Sequence, residues 1–174
     1  GTGTVVMKGN NTLPATIFTT FNNFIDSSGT TTTAVEDTII GNLEIKAAGH
    51  LSLGAPVYIQ GDWNRNNGGQ FTQNDYWVHF SGAKDAGITA FNGQAFSYLH
   101  LIKNRTNYLN LYDSISISQV MLIDSGIFDL KSKNITLISN AQGTASFDKL
   151  GTHGSINYRS EEHTSELQSR VDIS

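Results

Sequence analysis

The sequence predicts an all-β chain wound as a parallel β-helix-like solenoid. Three observations carry that prediction. Between Gly41 and Phe71, short alternating apolar pairs (Leu43/Ile45, Leu51/Leu53, Val57/Ile59) are punctuated by Gly49, Gly54, Gly61 and Gly68-Gly69, with no helical spacing. Charged residues are only 15% of the 174, and Thr, Ser, Asn and Gly fill the deficit, which suits strands and turns better than helices with charged outer faces. Apolar positions also recur at a fixed interval: Val5, Phe24 and Leu43 are 19 apart, as are Ile59 and Val78. Two or three short strands plus their turns need about 19 residues per coil.

The elements follow in order. Thr4–Lys8 is a short apolar strand stopped by Gly9-Asn10-Asn11. Ile17–Ile25 is aromatic and β-branched, and reads as one or two strands. Thr30–Thr33 favours strand because Thr is β-branched. After the 41–71 stretch, Tyr76–Phe80 is a strand and Ser81–Gly93 reads as loop. Phe96–Lys103 and Tyr108–Tyr112 alternate. Ser114–Ile123 shows the clearest period of two, with Ile115, Ile117 and Val120 expected on the buried side. Ile127–Leu130, Ile135–Ile138 and Ala145–Leu150 complete the series.

A longer duplication overlies the coils. At an offset of 77, Phe21–Asp26 falls on Tyr98–Lys103, Gly49 on Gly126, Leu51 on Phe128 and Leu53 on Leu130; at 73, Val5 falls on Val78. The expected organisation is a repeat region over 1–150, in two degenerate units of about 4–75 and 76–150. Residues 151–158 are expected to begin a truncated following segment. An antiparallel β-sandwich is the alternative fold, since it also uses short strands between turns. It gives no reason for a repeat, and only Asn92-Gly93 resembles its tight hairpin turns.

The pattern Gly41-Asn42-Leu43-Glu44-Ile45, Gly49-His50-Leu51-Ser52-Leu53, Gly61-Asp62-Trp63, Asn67-Gly68-Gly69-Gln70-Phe71 and Val78-His79-Phe80-Ser81-Gly82 resembles bacterial secreted β-strand-repeat, adhesin-like surface proteins associated with type IX secretion. The resemblance implies an extracellular or cell-surface location, flanking native repeats, and a structural or adhesive role without catalysis. Surface glycans are the partners it suggests. Residues 159–174 (RSEEHTSELQSRVDIS) instead resemble translated sequencing-adapter DNA, and are expected to be an artefactual tail.

Composition excludes several classes. The net charge is −4, against the basic patch a nucleic-acid binder needs. Lys103-Asn104-Arg105 and Lys131-Ser132-Lys133, the only basic clusters, read as solvated turns. There is no cysteine, hence no disulfide or thiolate site, and no apolar run long enough to span a bilayer as a helix. His50, His79, His100 and His153 lack zinc-motif spacing, and His79 and His100 should face outward from their strands. Asp62, Asp75 and Asp85 flank turns and suit caps better than Ca²⁺ ligands. No catalytic, cofactor or metal residue is therefore expected. The alternative function is a carbohydrate-binding or polysaccharide-degrading β-helix, with Asp113, Asp124, Asp129 and Lys131 lining an outer face. Trp63, Tyr76, Trp77, Tyr98, Tyr108 and Tyr112 could stack on sugars where exposed, although half or more should fill the core.

Overall fold

A computed structural model of the chain describes residues 3–16, 19–140, 143–148 and 152–157. The expected tail at 159–174 lies outside them. The described residues form a parallel β-solenoid of about seven turns, with no helix. Strands β1 (Thr4–Lys8), β2 (Asn11–Thr12) and β3 (Thr20–Phe21) make the first coil. The second has β4 (Asn23–Thr32) and β5 (Asp37–Ile39), and the third β6 (Leu43–Ser52) and β7 (Val57–Ile59). Then come β8 (Trp63–Arg65), β9 (Gln70–Thr72) and β10 (Trp77–Gly82), followed by β11 (Ala86–Ala90) and β12 (Gln94–Lys103). Next are β13 (Tyr108–Leu111) and β14 (Ile115–Asp129). The last are β15 (Ile135–Leu137), β16 (Ser139–Asn140), β17 (Gly143–Thr144), β18 (Ser146–Asp148) and β19 (His153–Asn157).

Seventeen of these strands belong to one sheet whose pairings are parallel; only β16 and β17 pair antiparallel. The sandwich alternative is thereby excluded. The ladder runs on three faces. On the first, Val5 pairs with Phe24 and Phe24 with Leu43, each 19 positions on. Leu43 then pairs with Trp63, Trp63 with Ile88 and Ile88 with Leu111. The 19-residue spacing is thus a true coil register where the coils are shortest. It is not one for Ile59 and Val78: Val78 pairs with Val57, and Ile59 with Phe80. Nor do the long overlays follow columns. Phe21 stacks through Ile39, Ile59, Phe80 and Leu101 to Ile123, whereas Tyr98 stands between Trp77 and Val120.

Inward positions of all three faces fuse into one core. Leu43, Ile45, Ile59, Phe80, Phe96, Leu101 and Phe128 are fully buried, each stabilising the fold by about 1.5–3 kcal/mol. Trp63 is also fully buried, edge-on to Phe71 at 4.7 Å and to Phe96 at 5.3 Å, so it offers no face to a sugar. Corners carry a ladder of their own. Asn42 N donates to Asn23 Oδ1, Asp62 N to Asn42 Oδ1, and Gly87 N to Asp62 Oδ1. Gly61 N donates to Gly41 O at 3.1 Å, and a Cβ on Gly61 would meet that carbonyl at 2.5 Å. Only glycine lets these corners stack so closely.

Three local expectations are corrected. Val120 faces out and Met121 is the buried residue, because the parity set by Ile115 and Ile117 runs on unbroken to Met121 and Ile123. The one-residue register shift falls instead on β12, where the buried parity changes from Gln94 and Phe96 to Leu99 and Leu101. Ser81–Gly93 holds a strand, β11, whose inward positions are Ala86, Ile88 and Ala90; two alanines conceal the apolar alternation. Lys103 is not a solvated turn residue but is 1% exposed, and its Nζ donates to the carbonyls of Gln60 (3.0 Å), Ser81 (2.8 Å) and Lys84 (2.9 Å). All three ammonium protons are used, which offsets the desolvation that lowers its pKa to about 8. Arg105 is exposed, and Lys131 ion-pairs with Asp129 at 3.0 Å.

Asp37 heads the apolar column that continues through Val57, Val78, Leu99 and Met121. It is 1% exposed, and neither carboxyl oxygen has a hydrogen-bond partner. It lines a small internal cavity with Leu13, Phe24, Thr33 and Ile39.

Lys103→Met leaves three carbonyls without a donor and should cost about 2–4 kcal/mol in urea unfolding. Burial raises the Asp37 pKa from 3.8 to about 6, so the folded state holds a proton that the unfolded chain releases. Stability should therefore fall by about 3 kcal/mol as pH rises from about 4 to about 6, and level off above that. Asp37→Asn should abolish this fall and be more stable than the parent at pH 7.5.

Candidate functional site: an aromatic and histidine strip

Alternation decides what the third face shows to solvent. In β10, Val78 and Phe80 point inward, so Trp77 and His79 point out. In β12, Leu99 and Leu101 are buried between Tyr98 and His100, and in β7 Tyr58 lies between buried Val57 and Ile59. The ladder pairs Tyr58 with His79, His79 with His100, and Trp77 with Tyr98. Rings one coil apart are held at about the 4.8 Å strand spacing. The strip ends at aliphatic residues on β14, where His100 pairs with Leu122 and Tyr98 with Val120.

The rings touch throughout. Tyr58 and His79 stack at 4.3 Å with 12° between planes. Trp77 lies 5.0 Å from Tyr98, 5.9 Å from His79 and 5.8 Å from His100. His79 Nδ1 is 3.0 Å from His100 Nδ1, and His100 Nε2 is 2.9 Å from Asp124 Oδ2. The carboxylate accepts from Nε2–H, which leaves His100 Nδ1 as an acceptor in the neutral ring. His79 is half-buried; burial first, and the His100 ring second, pull its pKa down to about 4. Its ring is uncharged at neutral pH.

A polar bracket beneath the strip fixes its backbone. Gln73 is 6% exposed; its Nε2 donates to the carbonyls of Tyr76 (2.5 Å) and Tyr98 (2.7 Å), and its Oε1 accepts from Ser97 N at 2.8 Å. Asn74 and Asp75 both have positive φ and turn the chain from β9 into β10. Asn74 Nδ2 also donates to Leu53 O at 2.9 Å, tying this turn to the preceding coil.

Other sequence candidates do not converge. Asp62 and Asp85 accept backbone amides of Gly87 and Tyr108, as caps do. Asp113 accepts from Ala90 N, Asp124 pairs with His100, and Asp129 with Lys131, so each carboxylate of the expected acidic face serves a different partner. His50 lies between Thr30 and Thr72, and His153 contacts Arg105. Tyr112 is half-exposed, with its ring over Gly87. Among the described residues, no group of three or more His, Cys, Asp or Glu side chains is placed to hold a metal ion. Tyr58 and the histidines were missed as partners of the aromatic candidates; their signal was the shared parity of Tyr58, His79 and His100 within three alternating strands.

No protein family, curated protein or solved structure matches the chain.

Replacing Gln73 by Leu should cost about 2–3 kcal/mol in chemical unfolding, because two carbonyls and one amide lose their partner. Trp77 emission should also red-shift in the folded variant. An unshifted spectrum would show that the bracket does not hold the strip.

Proposed function

We propose that this chain is a non-catalytic structural and adhesive segment of a bacterial cell-surface protein, exported by the type IX route, which uses its aromatic strip to contact surface glycans. The observation that carries the adhesive part is the alignment of Tyr58, Trp77 and Tyr98 with His79, His100 and Asp124 on one outward face. Aromatic faces suit the apolar faces of sugar rings, while imidazole and carboxylate suit hydroxyls. The spacer role is supported by the continuous parallel ladder, which sets a fixed rise per coil. Export and surface location are supported by the sequence resemblance.

A glycan array probed with the parent chain and a Trp77→Ala/Tyr98→Ala double variant tests this reading. The parent should bind a subset of polysaccharides, and the variant should lose that signal at least about tenfold, since each stacked ring contributes on the order of 1 kcal/mol. Equal signals from parent and variant, with unchanged circular dichroism, would remove the strip from any adhesive role.

A further inference from the structure

The strip contains a feature that sugar stacking does not use. His79 and His100 lie in register on adjacent strands, on the same outward face, and turn their Nδ1 atoms toward each other at 3.0 Å. As it stands, one nitrogen must donate a proton to the other. Asp124, on the far nitrogen of His100, already holds that ring's proton at Nε2, so His100 Nδ1 presents its lone pair. His79 needs only to shift its own proton from Nδ1 to Nε2 for a second lone pair to face the gap between the rings. A carboxylate behind a histidine in this way is the outer-shell arrangement that orients metal-binding imidazoles.

We propose that His79 and His100 chelate a divalent transition-metal ion through their Nδ1 atoms, with Asp124 as the positioning residue, and that the site favours tetragonal ions such as Cu²⁺ or Ni²⁺. The span suits two ligands side by side on one ion. Metal–imidazole bonds of about 2.0–2.1 Å drawn onto 3.0 Å close at about 94° at the metal. That is a cis angle of square-planar or octahedral coordination; a tetrahedral angle would need the nitrogens about 3.3 Å apart. Water would complete the coordination shell. No proton is lost, because each ring keeps one on Nε2. The two readings are tested apart, because Trp77 and Tyr98, whose replacement tests glycan stacking, supply no metal ligand.

The test is a titration of the full chain with CuCl₂, followed by tryptophan fluorescence and electron paramagnetic resonance. Trp77 lies within 6 Å of both imidazoles, whereas Trp63 is sealed in the core. Emission from Trp77 should be quenched with saturation at one equivalent, and the spectrum should carry hyperfine structure from two nitrogens. His79→Phe, which keeps a ring on Tyr58, and His100→Asn should each weaken this site about tenfold or more, and Asp124→Asn by about tenfold. Circular dichroism checks folding, and His100→Asn decides if His79→Phe fails to fold. Absence of saturable quenching in the parent, or the same quenching and stoichiometry in the folded histidine variants, would overturn the proposal.

Discussion

Everything in this molecule depends on a parallel ladder that must close after each circuit of the coil. A strand here pairs with neighbours one circuit away, so each coil must return its backbone amides and carbonyls to register with the last. Corners are where that condition is hardest to meet. The relay from Asn23 to Asn42 to Asp62 to Gly87 meets it by letting each corner side chain accept the next coil's amide. The glycines beside it allow backbones to approach where a Cβ could not fit. Stability is then distributed along the stack, each coil supported by its two neighbours.

Such a ladder makes polar residues inside the coil expensive, and the chain handles them differently. Lys103 meets three carbonyls and joins three segments of backbone. Asp26, fully buried, accepts from Thr31 Oγ1 on one oxygen, and burial still raises its pKa. Asp37 has no partner, and burial raises its pKa to about 6, so it keeps its proton only in acidic solution. The second coil therefore carries two buried acids, whereas farther along the Asp37 column is filled by aliphatic residues such as Val57, Val78 and Leu99.

How far the sequence could be read follows from which interactions are local. Alternation in Leu43–Ile45, Leu51–Leu53 and Trp77–Phe80 reports the buried face directly, so the strands, the glycine corners and the solenoid were legible. Val120 was misplaced because its apolar side chain argued for the core against the period of two that Ile115, Ile117 and Met121 keep. Strand β11 was hidden by inward alanines, and Lys103 by the hydrophilicity of its head group. The candidate site was partly legible: Tyr76, Trp77 and Tyr98 stand out as aromatic, but the pairing of His79 with His100 spans 21 positions. A motif search within one strand or helix turn cannot see neighbours made by a full circuit of coil.

Coil length is not constant. Circuits of 19 residues join Val5, Phe24 and Leu43, yet 25 separate Trp63 from its partner Ile88, and 28 separate Ser125 from His153. Because the pairing stays parallel, the surplus must be expelled sideways at corners and leaves the axial rise unchanged. The solenoid thus behaves as a ruler with attachment points: about 4.8 Å is added per circuit whatever the loop attached to it. Evolution can lengthen a corner, or an engineer can graft a peptide there, without displacing the rows of side chains above and below.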